Sequence, residues 1–217
     1  MPDFSGLREQ MVRRQIEARG IRDPLILDAF RQVPREAFVS ADHAHLAYED
    51  HPVPIDAGQT ISQPYIVALM IEAAAIGPGH RVLEVGSGSG YAAAVISRIA
   101  AAVIGIERHH YLFAASSNRL SRMGYDNVQI FEGDGSVGRP DQAPFDAILV
   151  AASGSHVPQQ LVEQLAEGGR LVMPVGGPSA DQELVKVTKR ADGTIRRECL
   201  GGVRFVPLIG AEGWRSE

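Results

Sequence analysis

The residues that most clearly indicate chemistry form a short run in which one acidic residue precedes three alternating glycines. Glu84 is the next-to-last residue of a mostly apolar stretch that ends at Val85. Gly86, Gly88 and Gly90 follow it, and Ser87 separates the first two glycines. The stretch before them is short and β-branched, like a buried parallel strand, and the Ala-rich stretch after them is typical of a helix. The glycines therefore occupy a strand-to-helix turn, where open α/β folds bind ligands, and they indicate a nucleoside-cofactor loop.

The spacing of the glycines distinguishes two kinds of cofactor. A dinucleotide fingerprint has its third glycine three residues after the second, but that position is Tyr91, which disfavours a nicotinamide oxidoreductase. A pyrophosphate is bound at a helix N-terminus, whereas S-adenosylmethionine carries a cationic ammonium and sulfonium that the Glu84 carboxylate can offset. The run therefore favours S-adenosylmethionine and resembles motif I of the Rossmann-like class I methyltransferases. An ordinary Gly-rich turn seldom needs three alternating glycines.

Two more acidic residues follow the next two predicted strands. Glu107 ends one strand, and its carboxylate can accept hydrogen bonds from both ribose hydroxyls, although a solvated strand-end acid would have the same sequence. Asp134 follows the other strand within an ordinary Gly-Asp-Gly turn and can accept from the exocyclic amine of adenine. The strand ends of such folds line one crevice, so the three acids together predict an adenosine site. The adjoining Arg108 and Gly133 are included in it.

The elements that must position these residues alternate between strand and helix. This alternation implies a mainly parallel sheet covered by helices on both faces, so we predict a doubly wound, Rossmann-like α/β fold. After Gly176 the pattern becomes alternately polar and apolar around Asp192-Gly193, a strong hairpin signal, so the sheet should end in antiparallel strands. The predicted strands are 81–85, 103–107, 128–131, 145–150, 170–175, 184–189 and 195–199, and the helices between them are 90–100, 110–123 and 158–166.

The sequence before the sheet predicts helices and one long loop. A helix over 7–18 should end at Gly20, a C-cap signal, and Asp23-Pro24 should begin a second helix that runs to residue 32. A third helix is predicted over 64–75, after a loop over 40–62 whose length indicates a functional role. We predict a single domain over 1–217, divided into N-terminal helices and loop (1–76), cofactor-binding core (77–176) and C-terminal antiparallel strands with a substrate-side segment (177–217).

Composition and charge disfavour several classes of partner. The net charge of −5 argues against nucleic acid, because proteins that bind it usually present a basic face. No stretch approaches the ~18 uncharged apolar residues of a membrane span, and the N-terminus lacks the pattern of a signal peptide. The one cysteine, Cys199, fits a reducing compartment. We therefore expect a cytoplasmic protein without membrane partners, and we take it to act as a monomer.

The seven histidines do not indicate a metal site. Their spacing, for example at His43, His45 and His51, matches no common ligand pattern such as H-E-x-x-H. We therefore expect no metal cofactor.

A second segment, upstream of the glycines, points to one family. The hexapeptide Gln-Thr-Ile-Ser-Gln-Pro at 59–64 resembles the active-site loop of the protein-L-isoaspartate (D-aspartate) O-methyltransferases, and this pattern is highly specific. The resemblance covers nearly the whole chain. It includes the tripeptide ending at Arg35, the residues 133–135, the run 168–171 and the run 203–208.

The resemblance implies both activity and site. It implies methyl transfer from S-adenosyl-L-methionine to the α-carboxylate of L-isoaspartyl residues, and in this family D-aspartyl residues, in damaged proteins or peptides, which initiates their repair. S-adenosyl-L-homocysteine would be the product. Ser62 is implied as the catalytic residue, with Gln59, Thr60 and Ile61 beside the cofactor. The substrate peptide is implied to bind along Val203, Arg204, Phe205, Val206 and Pro207.

The chemistry of such an acceptor agrees with a lone serine. An isoaspartyl α-carboxylate has a pKa of roughly 3.5 and is ionised at neutral pH, so it needs no general base. The protein must supply in-line geometry at about 3–3.5 Å and a dry site, and the Ser62 hydroxyl can orient the carboxylate without protonating it. Ser62 lacks the nucleophile elbow of a hydrolase. A simple N-cap role for Ser62 or Thr60 stays open.

Departures from the family pattern keep other functions open. Asp56 stands where the family usually has glycine, and Arg139 where many bacterial members have tryptophan. These residues leave a methyltransferase for another peptide carboxylate as an alternative. A cofactor-binding module without catalysis is a further alternative, which the intact Ser62 disfavours. Arg204 either attracts the substrate carboxylate or is a solvated strand arginine.

Overall fold

A computed structural model of the chain describes residues 3–177 and 181–215, and it begins with two helices. Helix α1, Phe4–Met11, is capped by Asp3, whose side chain accepts a hydrogen bond from the Gly6 N–H. The chain continues through a wider π-helical turn and a 3₁₀ turn to Gly20, which ends the helical segment at a φ of 104° as predicted. Helix α2, Pro24–Gln32, is capped by Asp23 as predicted. The boundaries of the predicted single domain, 1–217, include positions outside these described ranges.

The predicted loop over 40–62 contains short elements. Strands β1, Val53–Pro54, and β2, Thr60–Ile61, pair as a small antiparallel hairpin. Helix α3, Pro64–Ala73, follows directly, close to its predicted bounds. Its N-cap is Gln63, which makes no side-chain capping hydrogen bond, so Ser62 and Thr60 do not hold the capping position considered from the sequence.

Seven further strands form one sheet. The strands are β3 Arg81–Val85, β4 Ala102–Glu107, β5 Val128–Glu132, β6 Phe145–Val150, β7 Leu165–Gly176, β8 Gln182–Lys189 and β9 Ile195–Val203, and the helices between them are α4 Tyr91–Ser97, α5 His110–Arg122 and α6 Gln159–Glu163. The spatial order of the strands is β5-β4-β3-β6-β7-β8-β9. The pairs from β5 to β7 are parallel, and the pairs β7–β8 and β8–β9 are antiparallel. This is the predicted doubly wound sheet with antiparallel C-terminal strands.

The boundary between α6 and β7 differs from the prediction. We predicted a helix over 158–166 and a strand from 170, but α6 ends at Glu163 and β7 begins at Leu165. Leu165 pairs with Phe145, and the register then shifts, so that Arg170 pairs with Ala147. Local sequence cannot show this bulge, because the pairing of Leu165 depends on a strand twenty residues earlier.

Two apolar layers cover the sheet. Residues on β3 alternate between them: Val82 belongs to the cluster formed with the N-terminal helices, and Leu83 and Val85 belong to the cluster that contains α6. This alternation leaves Glu84 on the side of the N-terminal helices. Within the described ranges, no helix is both long and apolar enough to cross a membrane.

Gly105 on β4 leaves room for the glycine loop, and we predict that Gly105→Ala destabilises the protein. A β-carbon there would overlap Ile130 Cδ1 and Ser87 Oγ. We expect a loss of about 1–3 kcal/mol, as is usual for overpacking, measured by urea unfolding. Gly79→Ala is the control, because a β-carbon at Gly79 meets no atom within 4 Å. Equal stability of the two variants would contradict this role of Gly105.

Candidate active site

The carboxyl ends of β3, β4 and β6 open into a cavity of about 870 Å³. The chain leaves β3 towards β4 and later returns to β6 on its other side, and such a reversal of strand order creates a crevice. Four segments contribute most of the cavity lining: the acceptor loop, defined here as residues 58–63; the glycine loop, residues 84–89; residues 106–109; and residues 202–209.

Most residues predicted to form the site line this one cavity. The structure brings together the following predicted residues: Gln59, Thr60, Ile61, Ser62, Glu84, Gly86, Ser87, Gly88, Glu107, Arg108, Val203, Arg204, Phe205, Val206 and Pro207. Gly90, Gly133 and Asp134 lie outside its lining. The segments predicted to bind cofactor and substrate are therefore two walls of a single chamber.

The glycine loop adopts a conformation that its glycines permit. Gly86, Gly88 and Gly90 all have positive φ, at 84°, 51° and 86°. Gly90 also lies so close to α5 that a β-carbon would come within 3.1 Å of Leu120 Cδ1. Gly90 thus allows the turn into α4 and its packing against α5, instead of lining the cavity.

Glu107 holds the glycine loop against the end of β4. Its Oε2 accepts a hydrogen bond from the Gly88 N–H at 2.8 Å, and its Oε1 accepts one from the His109 N–H at 2.8 Å. The carboxylate is only 4% exposed. Each oxygen keeps a lone pair, which agrees with the predicted acceptance of two ribose hydroxyls.

Glu84 carries a buried carboxylate with an unused oxygen at the cavity. Its side chain is 2% exposed, and its Oε2 has no hydrogen-bond partner among the described residues. Burial, together with the negative charge of Glu107, raises the pKa of Glu84 to about 7. The Ser87 hydroxyl beside the cavity is also without a partner in the described chain. Unpaired buried polar atoms are costly, so both groups fit a site for a polar, cationic ligand.

The acceptor loop presents Ser62 with its hydroxyl free. The Ser62 side chain makes no hydrogen bond to any described residue, while its main-chain carbonyl accepts one from Arg35 Nη2 at 2.7 Å. Gln63 is held by Asp50, which accepts through both its carbonyl and a carboxylate oxygen. The Ser62 carbonyl and the Gln63 side chain are therefore both anchored, and the Ser62 hydroxyl is left to a ligand.

Arg35 is a functional residue that the sequence reasoning missed. It is fully buried, donates to the carbonyls of Ala47 and Ser62, and stacks on the Tyr91 ring at 4.7 Å. Burial lowers the pKa of its guanidinium. Because Tyr91 begins α4 directly after the glycine loop, Arg35 connects the two halves of the site. Its only sequence signal was its place in the family pattern.

Residues 204–207, which belong to the segment predicted to receive the substrate, lie beyond the end of β9 and have no regular strand partner. Buried Gln182 hydrogen-bonds to both main-chain groups of Phe205, and Ser153 bonds through its main chain to Val206 and Leu208. Arg204 is exposed at the cavity. Cavity-lining Arg204 and Arg108 make no ion pair with any residue in the described part of the chain.

Asp134 has structural partners that the sequence did not indicate. Its Oδ1 accepts from the Ser136 N–H and hydroxyl, and its Oδ2 accepts from the Ala211 N–H. It therefore joins the turn after β5 to the C-terminal segment from outside the cavity lining. The proposed contact of Asp134 with adenine stays a prediction.

The two departures from the family pattern do not line the main cavity. Asp56 borders a separate space of about 170 Å³ beyond the glycine loop, which Arg119 also lines. Arg139 stacks on Phe131 at 3.9 Å and pairs with Asp141. Because neither residue lines the main cavity, the structure gives no contact that would assign either one to acceptor specificity.

The fold and the site together define a class I S-adenosylmethionine-dependent methyltransferase. The carboxyl ends of three neighbouring parallel strands, the acids Glu84 and Glu107 and the positive-φ glycine loop border one cavity. No cluster of three or more potential metal ligands occurs in residues 3–177 and 181–215. The family model for protein-L-isoaspartate(D-aspartate) O-methyltransferase matches residues 7–213. The chain belongs to this family of carboxyl methyltransferases.

Individual relatives agree with this assignment. Protein-L-isoaspartate O-methyltransferase 2 of Pelobacter propionicus is 56% identical over 207 residues, which cover 95% of this chain and 92% of the relative. Protein-L-isoaspartate O-methyltransferase 1 of Rhodopseudomonas palustris strain HaA2 is 57% identical, over 98% of this chain and 87% of the relative.

Solved structures of the family superpose on the chain. One protein-L-isoaspartate O-methyltransferase gives a TM-score of 0.86 at 31% identity, over 95% of this chain and 67% of the other. A Plasmodium falciparum protein assigned to the same family gives 0.81 at 31% identity, over 93% of this chain and 98% of the other, and it was solved with S-adenosyl-L-homocysteine.

We predict that Arg35→Met lowers turnover as well as stability. The change leaves the Ser62 and Ala47 carbonyls without donors, so we expect a loss of about 1–3 kcal/mol for each unsatisfied buried group and a lower kcat because Ser62 loses its anchor. Urea unfolding and steady-state kinetics measure the two effects. Arg98→Met is the control, since Arg98 stacks on Tyr125 at 4.2 Å away from the cavity. A normal kcat in folded Arg35→Met would contradict the anchoring role.

We predict that the affinity for S-adenosylmethionine rises with pH through the pKa of Glu84. Below pH 7 Glu84 is largely protonated in the free protein, and a bound cation favours its ionised form. Binding should therefore release a proton, and affinity should increase about tenfold between pH 6 and pH 8 by linkage. Calorimetry in buffers with different ionisation heats measures both quantities. Glu84→Gln is the control, and equal pH dependence in it and the wild type would refute the assignment.

Proposed function

We propose that the chain transfers the methyl group of S-adenosylmethionine to the α-carboxylate of L-isoaspartyl residues, and to D-aspartyl residues, in damaged proteins. The observation that carries this proposal is the shared cavity, which Ser62 lines together with the glycine loop and Glu84. The names of the relatives support the same acceptor. Esterification creates a better leaving group, so ring closure to a succinimide and hydrolysis can then restore some normal aspartate.

In this proposal the glycine-loop wall holds the cofactor. Glu84 would offset the positive charge of the cofactor's ammonium and sulfonium groups, and Glu107 would accept hydrogen bonds from its ribose hydroxyls. Thr60 and its neighbours Gln59 and Ile61 would contact the cofactor from the acceptor loop. Arg108 flanks the ribose site. The unpaired oxygen of Glu84 and the free lone pairs of Glu107 support these roles. When bound, S-adenosylmethionine supplies an electrophilic methyl group on its sulfonium.

The opposite wall holds and orients the acceptor. The Ser62 hydroxyl would donate a hydrogen bond to one oxygen of the isoaspartyl carboxylate and so orient the other carboxylate oxygen as the nucleophile that accepts the methyl group. Arg204 attracts the carboxylate from the cavity mouth, and residues 203–207 receive the flanking peptide. The substrate carboxylate is already ionised, so no base is needed, and exclusion of water from the cavity leaves the anion reactive.

We further propose that the protein acts as a monomer in the cytoplasm and does not bind nucleic acid. The net charge of −5 supports a protein substrate over a phosphate backbone. The free, exposed Cys199 supports a reducing compartment. Light scattering and a titration with duplex DNA would test these points.

Methyl transfer from labelled S-adenosylmethionine to two matched peptides tests the main proposal. The peptides differ only in whether one residue is isoaspartate or aspartate. We expect a base-labile methyl ester on the isoaspartyl peptide alone. Labelling of neither peptide, or equal labelling of both, would overturn the proposal.

We predict that Ser62→Ala lowers kcat about 10²-fold, the usual effect of removing one well-placed hydrogen-bond donor. The affinity for S-adenosylmethionine should change little, because the change leaves the glycine-loop wall intact. Steady-state kinetics and calorimetry measure the two quantities. Ser155→Ala is the control, since this exposed serine lies outside the cavity and bonds to His156. Proportional losses of turnover and cofactor affinity would count against the role of Ser62.

A further inference from the structure

The side chain of Gln182 takes the place of a strand partner for Phe205. Phe205 lies just beyond β9, whose last residue, Val203, pairs with Gln182. The Phe205 N–H donates to Gln182 Oε1 at 2.7 Å, and Gln182 Nε2 donates to the Phe205 carbonyl at 3.1 Å. One neutral amide thus satisfies both main-chain groups of one residue, as a neighbouring strand would do.

Gln182 is itself fixed in place. It is 2% exposed at the start of β8, and its Nε2 also donates to the Gly177 carbonyl at 3.3 Å. A buried polar side chain is costly unless its hydrogen bonds are made. All three bonds of Gln182 go to main-chain groups, so its rotamer and the path of the Phe205 backbone depend on each other.

The bond to Phe205 determines the shape of the substrate wall. Phe205 and its neighbours line the cavity, whereas Gln182 does not. After Phe205 in the chain, the Ser153 N–H donates to the Val206 carbonyl, and the Leu208 N–H donates to the Ser153 carbonyl, both at 2.8 Å. Beyond the strand pairing of Val203, the described residues therefore hold this wall through the side chain of Gln182 and the main chain of Ser153.

We infer that Gln182 is a positioning residue for the protein substrate, which holds residues 203–207 in a preformed conformation that accepts the isoaspartyl peptide. This inference rests on the proposed function and deepens it. Because residues 203–207 are already ordered, peptide binding does not have to offset the entropy cost of ordering them. Loss of the Gln182 amide weakens peptide binding and leaves the cofactor wall, built by β3 and β4, unchanged.

A second buried glutamine provides a matched control. Gln164 is 6% exposed and also makes three hydrogen bonds to main-chain groups: Oε1 accepts from the Arg139 N–H, and Nε2 donates to the carbonyls of Val137 and Gln160. None of these residues lines the cavity. Gln164→Met and Gln182→Met therefore remove equal numbers of similar bonds, but only one of them lies behind the substrate wall.

The test compares the two variants with the wild type by steady-state kinetics on the isoaspartyl peptide, calorimetry with S-adenosylmethionine and thermal unfolding. We expect both variants to lower the unfolding midpoint similarly. Only Gln182→Met should raise the peptide KM, by about tenfold as for a lost anchoring bond, with cofactor affinity unchanged. An equal peptide KM in the two variants, or a matching loss of cofactor affinity in Gln182→Met, would overturn the inference.

Gln182→Glu keeps the inference testable if the methionine variant does not fold. A protonated carboxyl can accept from the Phe205 N–H and donate to its carbonyl, whereas an ionised carboxyl cannot donate. The ratio of the peptide KM of this variant to that of the wild type should therefore fall as pH is lowered. A ratio independent of pH would overturn the inference. Failure of the wild type to methylate the peptide would instead refute the proposed function.

Discussion

The site depends on one constraint, the parallel pairing of β3 with β4 on one side and β6 on the other. Loops that leave the carboxyl ends of these strands diverge, and the space between them becomes the cavity. Main-chain hydrogen bonds lock this arrangement: the Gly86 N–H donates to the Ile106 carbonyl, and the Ala151 N–H donates to the Val85 carbonyl, both at 2.8 Å. The glycine loop and Glu107 are positioned by the sheet, so the cofactor wall is held by hydrogen bonds within the protein itself.

Two buried ionisable side chains, one acidic and one basic, belong to the two sides of the site. Glu84 begins the glycine loop and lines the cavity, and Arg35 lies behind Ser62. Neither makes an ion pair among the residues that the structure describes. Burial shifts the pKa of each towards its neutral form, the direction expected when a charge loses water. Their placement separates an acidic wall for a cationic donor from a wall with basic groups for an anionic acceptor.

The irregular segments around the cavity are held by groups from regular elements. Glu107 bonds to the loop at Gly88, Arg35 to the Ser62 carbonyl, and Gln182 to Phe205. Main-chain groups that leave a sheet or helix must find other partners when buried. These side chains supply the partners, and they fix the positions of the loop residues relative to the regular elements. Catalytic geometry in this protein therefore depends on residues that do not line the cavity as well as on those that do.

The sequence by itself predicted the alternation of strands and helices and the cofactor loop, because hydrophobic periodicity, alternating glycines and strand-end acids are local patterns. It indicated the acceptor segment only through the resemblance of residues 59–64 to a family motif. It did not determine the end of α6, where Leu165 pairs with Phe145, or the partners of Asp134. Only the tertiary structure showed that Arg35 anchors Ser62, 27 residues away, and that Gln182 anchors Phe205, 23 residues away. Such contacts depend on the distance between segments remote in sequence, which local pattern cannot encode.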